Sequence, residues 1–209
     1  MSVQELSIDP AHSTVSFAVT FAMNSVVTGR FTNFGGQIRL DTQRPESSTV
    51  AAWVDAGSVT TDHEPRDEQL RSDDFLDAGE HQQIRFESTS VEVVGEDHWR
   101  VNGELTIRGH TRAVTLDTRY YGLTTDAWGT TRAGFVAEAD IQRPDWGINW
   151  NEPQETGVLI SDHVRVILYI SATAVSEVEA DDEAEPISGE DESIADEVEP
   201  SEDSDDTNE

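Results

Sequence analysis

Cysteine is absent from this chain, and so is lysine. Without thiols there are no disulfides, no thiolate nucleophile and no cysteine-ligated metal. Long apolar runs are missing too. No stretch approaches the ~20 apolar residues that a helix needs to cross a bilayer. The opening "MSVQELSIDPAHS" has neither a basic segment nor an apolar run of signal-peptide length, so the expected compartment is the cytoplasm and no stable membrane insertion is expected. Helical periodicity is scarce, which argues against an α/β fold.

Acid is what the chain has in excess: 43 acidic residues against 13 arginines, for a net charge of −30. The charge is uneven. From Glu177 to Glu209 there are 17 acids, no base and no aromatic residue. Such a segment cannot bury enough apolar surface to offset its chain entropy, so 177–209 is expected to be a disordered acidic tail, solubilising or partner-binding. Residues 1–176 form the expected folded domain. An acid excess with arginine as the only base fits a protein made for concentrated salt, where screening weakens the repulsion among carboxylates; a halophilic cytosol is the expected habitat. No basic stripe exists to meet phosphates, which argues against a nucleic-acid partner.

Most of the body reads with a period of two. In "HSTVSFAVTF" Val15, Phe17, Val19 and Phe21 alternate with Thr14, Ser16, Ala18 and Thr20, as in a strand with one apolar face. Similar segments follow around 30–41, 48–57, 83–94, 99–108, 112–122, 132–142 and 163–173. In the last, Val164, Val166, Leu168, Ile170 and Ala172 share one side. Clusters such as "DTQRPESS", "VGEDH" and "IRGHT" separate them. Eight such strands predict an all-β fold, a sandwich or a closed antiparallel barrel; a closed barrel of eight strands is of the size that holds one small ligand.

The stretch "TTDHEPRDEQLRSDDFLDAGEHQQIRF" breaks the pattern. Pro65 suits a helix's first turn, where Asp67 and Glu68 meet its positive end. Asp67 and Arg71 are spaced for an ion pair on one face, and Ser72 can cap a second short turn that carries Asp73 and Asp74. A short helical connection near 64–77 is predicted, with Leu70, Phe75 and Leu76 turned inward.

Taken with "SVTT", "IRFES", "VNGELTIRGHTRAVTL", "WGTTRAGFVAEADIQRPDWGI" and "SDHVRVILYISA", this stretch resembles the YceI-like family of lipocalin-like barrels. The likeness runs over roughly residues 6–174. It implies an eight-stranded barrel with a long apolar channel, often dimeric, that holds an isoprenoid lipid such as a quinone. No catalysis is implied. Arg66, Asp67, Leu70, Arg71, Asp74 and Phe75 match the family's helical connection one by one, which implies that its polar residues hold the connection in place and that Phe75 touches ligand. Many bacterial relatives carry a signal peptide, which this chain does not show, and the acidic tail is additional.

The residues offer little competing chemistry. His63 sits among Asp62, Glu64 and Asp67, with His81 and His110 elsewhere, but no spacing matches a zinc site. G-x-S-x-G is missing. The pair Gly35–Gly36 reads as a bulge or bend within a strand. The candidate ligand-binding rows are Phe17, Val19 and Phe21; Leu105 and Ile107; Val166 and Leu168, extended by Ile170. Phe31, Phe75, Phe86, Trp146 and Ile148 join them, with Trp146 and Trp150 alternatively a structural anchor at the rim. Periodicity does not say whether these rows fill the barrel or leave it hollow. Arg66 or Arg132 is expected near the mouth, facing a headgroup. No cofactor is expected beyond a bound isoprenoid or quinone. Two other readings stay open: an enzyme that uses acids in 62–74, and a dimeric stress or partner-binding module with a filled barrel.

Overall fold

The computed structural model describes residues 3–174, apart from Met23, Asp126, Trp128, Glu152, Glu155 and Thr156. The predicted tail at 177–209 lies outside the described residues. The strands are β1 (Val3–Ile8), β2 (Thr14–Phe21), β3 (Ser25–Phe31), β4 (Phe34–Asp41), β5 (Thr49–Asp55), β6 (Val59–Thr60), β7 (Gln83–Val93), β8 (His98–Ile107), β9 (His110–Thr125), β10 (Thr131–Gln142), β11 (Pro153–Gln154), β12 (Gly157–Val158) and β13 (Ile160–Ala174). A single helix among the described residues, α1 (Glu64–Arg71), follows β6.

Apart from β11 and β12, which pair with each other, these segments make a closed, eight-stranded antiparallel barrel, because three of its strands are each broken in two. β13 pairs along one edge with β10, from Gln142↔His163 to Arg132↔Thr173. Its other edge pairs first with β2 and then, by Leu6↔Ala174, with β1. β1 continues to β4 and β2 to β3, and those continue to β5 and β6. From β5 the sheet runs through β7, β8 and β9 back to β10. Neighbours in sequence are neighbours in space, as in an up-and-down barrel.

Local chemistry bridges each break. Between β1 and β2, a one-turn 3-10 helix (Pro10–His12) is capped by Asp9, and Ser13 exchanges hydrogen bonds with the Ser171 backbone. The breaks at Thr32–Asn33 and Ala56–Ser58 lie side by side: the Asp55 amide donates to the Asn33 carbonyl, and the Thr32 amide to Ser58. Gly35 and Gly36 pair in regular register with Trp53 and Ala52. The expected bulge is therefore absent there, and the bend falls two residues earlier. Gly36 answers to crowding instead, since a Cβ would lie 2.5 Å from the Ala51 carbonyl oxygen.

One end of the barrel is packed solid. Leu6, Leu40, Ala133 and Ala172 are at most 1% exposed and lie within a cluster that includes Ile38, Trp99, Val101 and Phe135. Each large side chain buried this way contributes about 1.5–3 kcal/mol. The other end is plugged by the 3-10 turn Arg143–Trp146 and the segment after it. Trp146 is 2% exposed and its indole N–H donates to the Leu105 carbonyl at 3.1 Å. Arg143 is buried, and its guanidinium donates to the carbonyls of Ser161, Ile148, Trp150 and Ile160 and to Asp162. One planar fork thereby gathers the plug and the start of β13.

Replacing Arg143 with alanine would strand several partly buried carbonyls, at an expected cost of about 3 kcal/mol. Lysine would restore only a fraction, because an ammonium lacks the fork. Urea unfolding of the two variants checks both expectations. A lysine variant as stable as the native protein would disprove the role assigned to the fork.

Candidate functional site

The apolar residues that alternate along the strands face one another across a cavity of about 300 Å³, the lower end of the range usual for ligand pockets. β2 contributes Val15, Phe17 and Val19; β13 contributes Val164, Val166, Leu168 and Ile170; β8 contributes Trp99, Val101, Leu105 and Ile107. Val15, Phe17, Val19, Phe31, Val166 and Leu168 are only half-buried although they line this interior. A filled barrel would bury such residues completely. The middle of this one is hollow, between the packed end and the plug.

Of the sequence-predicted residues, Phe17, Val19, Phe31, Phe75, Phe86, Leu105, Ile107, Trp146, Ile148, Val166 and Leu168 all lie along the cavity. Phe21 does not. It is the last residue of β2, paired with Ser25 and Ile160, and 37% exposed. The inward row has run past the rim there, so no opposite wall covers its ring. Trp150 packs behind the lining, with its ring centroid 5.4 Å from that of Phe75. Residues missed at first, such as Val101, Leu116 and Phe135, follow the same period of two as their neighbours. Trp99, Tyr120 and Phe135 form a stack, with centroids 4.8 and 5.2 Å apart along it.

Polar groups are sparse along the cavity. Ser48 accepts from the Asp41 amide, and the Thr118 hydroxyl donates to the Leu116 carbonyl. Both hydroxyls are already engaged, as are the two arginines of the lining, Arg85 with Gln83 and Arg143 with the plug, so the cavity asks little of a ligand by way of hydrogen bonds. Arg66 and Arg132, expected at the mouth, are committed elsewhere. Arg66 donates to the Thr61 hydroxyl and carbonyl, and Arg132 to Asp9 at 2.6 Å. Neither lines the cavity.

The helical connection closes the wall beyond β6. His63 accepts from the Arg66 amide and caps α1, Pro65 lies in the first turn, and the Ser72 hydroxyl donates to the Gln69 carbonyl at the other end. Leu70, Phe75 and Leu76 then reach the cavity. Asp67 and Arg71 do not form the expected ion pair. Arg71 donates to Glu64 and to the carbonyls of Gly57 and Val59. Asp67, 1% exposed, accepts from the Thr60 hydroxyl at 2.9 Å and from the Thr61 amide and hydroxyl at 2.8 and 2.5 Å. Close partners at the end of β6 and just after it win over one along the helix. Arg108, which the sequence reading passed over, ties the turn at Phe75 to the plug by donating to the carbonyls of Phe75 and Gly147. None of the acids between 62 and 74 is among the cavity-lining residues.

The model of the YceI-like domain matches residues 6–172. The chain belongs to that family. It is 35% identical over 138 residues to a UPF0312 protein of Vibrio campbellii, covering 66% of this chain and 73% of that one. It is 34% identical over 153 residues to a UPF0312 protein of Azotobacter vinelandii, covering 72% and 80%. Solved structures share the YceI-like fold. BcnA of Burkholderia cenocepacia superposes with a TM-score of 0.69 at 24% identity, over 79% of this chain and 99% of that one. A polyisoprenoid binding domain from Saccharophagus degradans gives 0.62 at 18% identity, over 84% and 99%.

Burial pushes the Asp67 carboxyl up, but the hydrogen bonds from Thr61 and Thr60 and the charge of Arg71 outweigh it, and the group sits below the ordinary carboxylate range. In the unfolded chain it returns to about 3.9. Its stabilisation is therefore complete above that value and lost as pH falls through the lower folded value. Asp67→Ala should cost about 1–3 kcal/mol at neutral pH by stranding buried donors. The gap to the native protein should close in acid, which unfolding midpoints across a pH series would show. A gap that stayed constant down to about pH 2 would contradict the ionised clamp.

Proposed function

We propose that this YceI-like barrel binds a long polyisoprenoid chain, that of an isoprenoid quinone included, and carries, stores or shields it. The observation that carries the reading is the hollow interior, whose apolar rows remain half-exposed between a packed end and a plug. Burying one CH₂ contributes ~0.8 kcal/mol, so two isoprene units supply several kcal/mol without a polar contact. The engaged hydroxyls of Ser48 and Thr118 support a chain-binding role for the interior, with the headgroup kept outside. A similar barrel from Saccharophagus degradans is described as a polyisoprenoid binding domain, which supports the same ligand class. The placement of the acids in 62–74, off the cavity and with Asp67 enclosed by β6, favours a fastening role for them over a catalytic one.

Protein stripped of lipid should be stabilised by prenyl-quinones, by about 2.7 kcal/mol at a hundredfold excess over Kd. Protein from its native host should release a prenyl lipid into organic solvent, identifiable by mass spectrometry. If repeated native preparations are bare and added prenyl-quinones leave the unfolding midpoint where it was, the barrel is no isoprenoid carrier.

A further inference from the structure

On the cavity wall where β2 meets β3, Phe17 stands directly opposite Gly29. A Cβ on Gly29 would lie 2.3 Å from Phe17 Cζ, 2.7 Å from its Cε1 and 2.9 Å from Thr61 Cγ2. The tip of the phenyl ring therefore occupies the space that any side chain at residue 29 would need. The ring is hemmed in on its other sides. Phe31 lies beside it, with centroids 5.8 Å apart. Thr61 is held by Asp67 and Arg66. The open direction is the cavity.

We propose that Gly29 sets the bore of the lumen, and with it the length of chain the protein accepts, by parking the Phe17 ring against the wall. The inference rests on the isoprenoid reading and assigns a specificity-determining position within it. Gly103 offers an informative contrast. A Cβ there would meet the Phe86 ring at 2.4 Å, but also the Glu87 carbonyl oxygen at 2.6 Å. Main chain cannot swing aside, so a side chain at 103 would strain the β7–β8 ladder. At Gly29 the nearest obstacle is the far end of a rotatable side chain. A methyl group is accommodated there by turning the ring into the lumen, where it displaces ligand, together with a shift of a few tenths of an ångström away from the Thr61 methyl.

The test uses the full chain, stripped of lipid and offered a graded series of prenyl alcohols in competition, with native mass spectrometry reading which lengths are retained. A phenyl ring has about as many carbons as one isoprene unit. Gly29→Ala should therefore shift the retained lengths down by about one unit, and Phe17→Ala should shift them up by about one. The double variant should follow Phe17→Ala, because alanine at 29 then meets no ring and only brushes the Thr61 methyl. Circular dichroism establishes that each variant is folded. Should Gly29→Ala fail to fold, Phe17→Ala carries the test alone, since it introduces no clash. A native barrel that retains no member of the series overturns the isoprenoid reading and the bore with it. Native binding with unmoved profiles in the folded variants overturns the bore assignment only.

Discussion

A sheet closed on itself satisfies its backbone hydrogen bonds without help from its side chains. That constraint shapes the molecule, because it lets the inward residues be chosen for the space they leave. The unbroken pairing of β10 with β13, together with the pairing of β13 with both β1 and β2, holds the wall. Close packing is then needed only at the ends. Small residues let one end taper shut around Leu6 and Leu40, while Trp146 and its neighbours stopper the other. Between them the rows of valine, leucine and phenylalanine stand apart.

The polar residues that matter to this design point at main chain. Arg143 gathers carbonyls of the plug and of β13, Arg108 links the plug to the turn at Phe75, and Asp67 with Arg71 and Arg66 fastens α1 to β6 and the turns beside it. Each closes a place where the ladder leaves backbone groups without strand partners. Exposed pairs such as Arg30 with Asp62 and Arg165 with Glu138 belong to a different class. Pairs in water contribute little and weaken further with salt. The stability of the barrel rests on the first group.

Period two carries the fold in this sequence because one face of each strand is apolar and the other wet. Eight strands are legible that way, together with the helical interruption and most of the cavity lining. The segments β1 and β6, and most of β3, escape because a short or bent strand shows too few alternations to register. Phe21 misleads for a related reason: alternation reports which face a residue is on, but not where the barrel ends. The partner of Asp67 was beyond reach as well. Helical spacing offers Arg71, yet the choice was made by Thr60 and Thr61, whose nearness depends on how α1 folds back on β6. What Gly29 is for shows only once Phe17 is placed across from it.

The closing strand is also the last to be made. Ser13 and Ser171, which bridge the break between β1 and β2, are 158 residues apart, and contacts so distant in sequence form late. Without β13 the other seven strands would be an open sheet with an apolar face toward water. The interior is enclosed by β13, which lies between β10 and the two opening segments. One strand at the end of the domain therefore decides whether there is an inside at all: seven strands are a surface, and the eighth makes it a container.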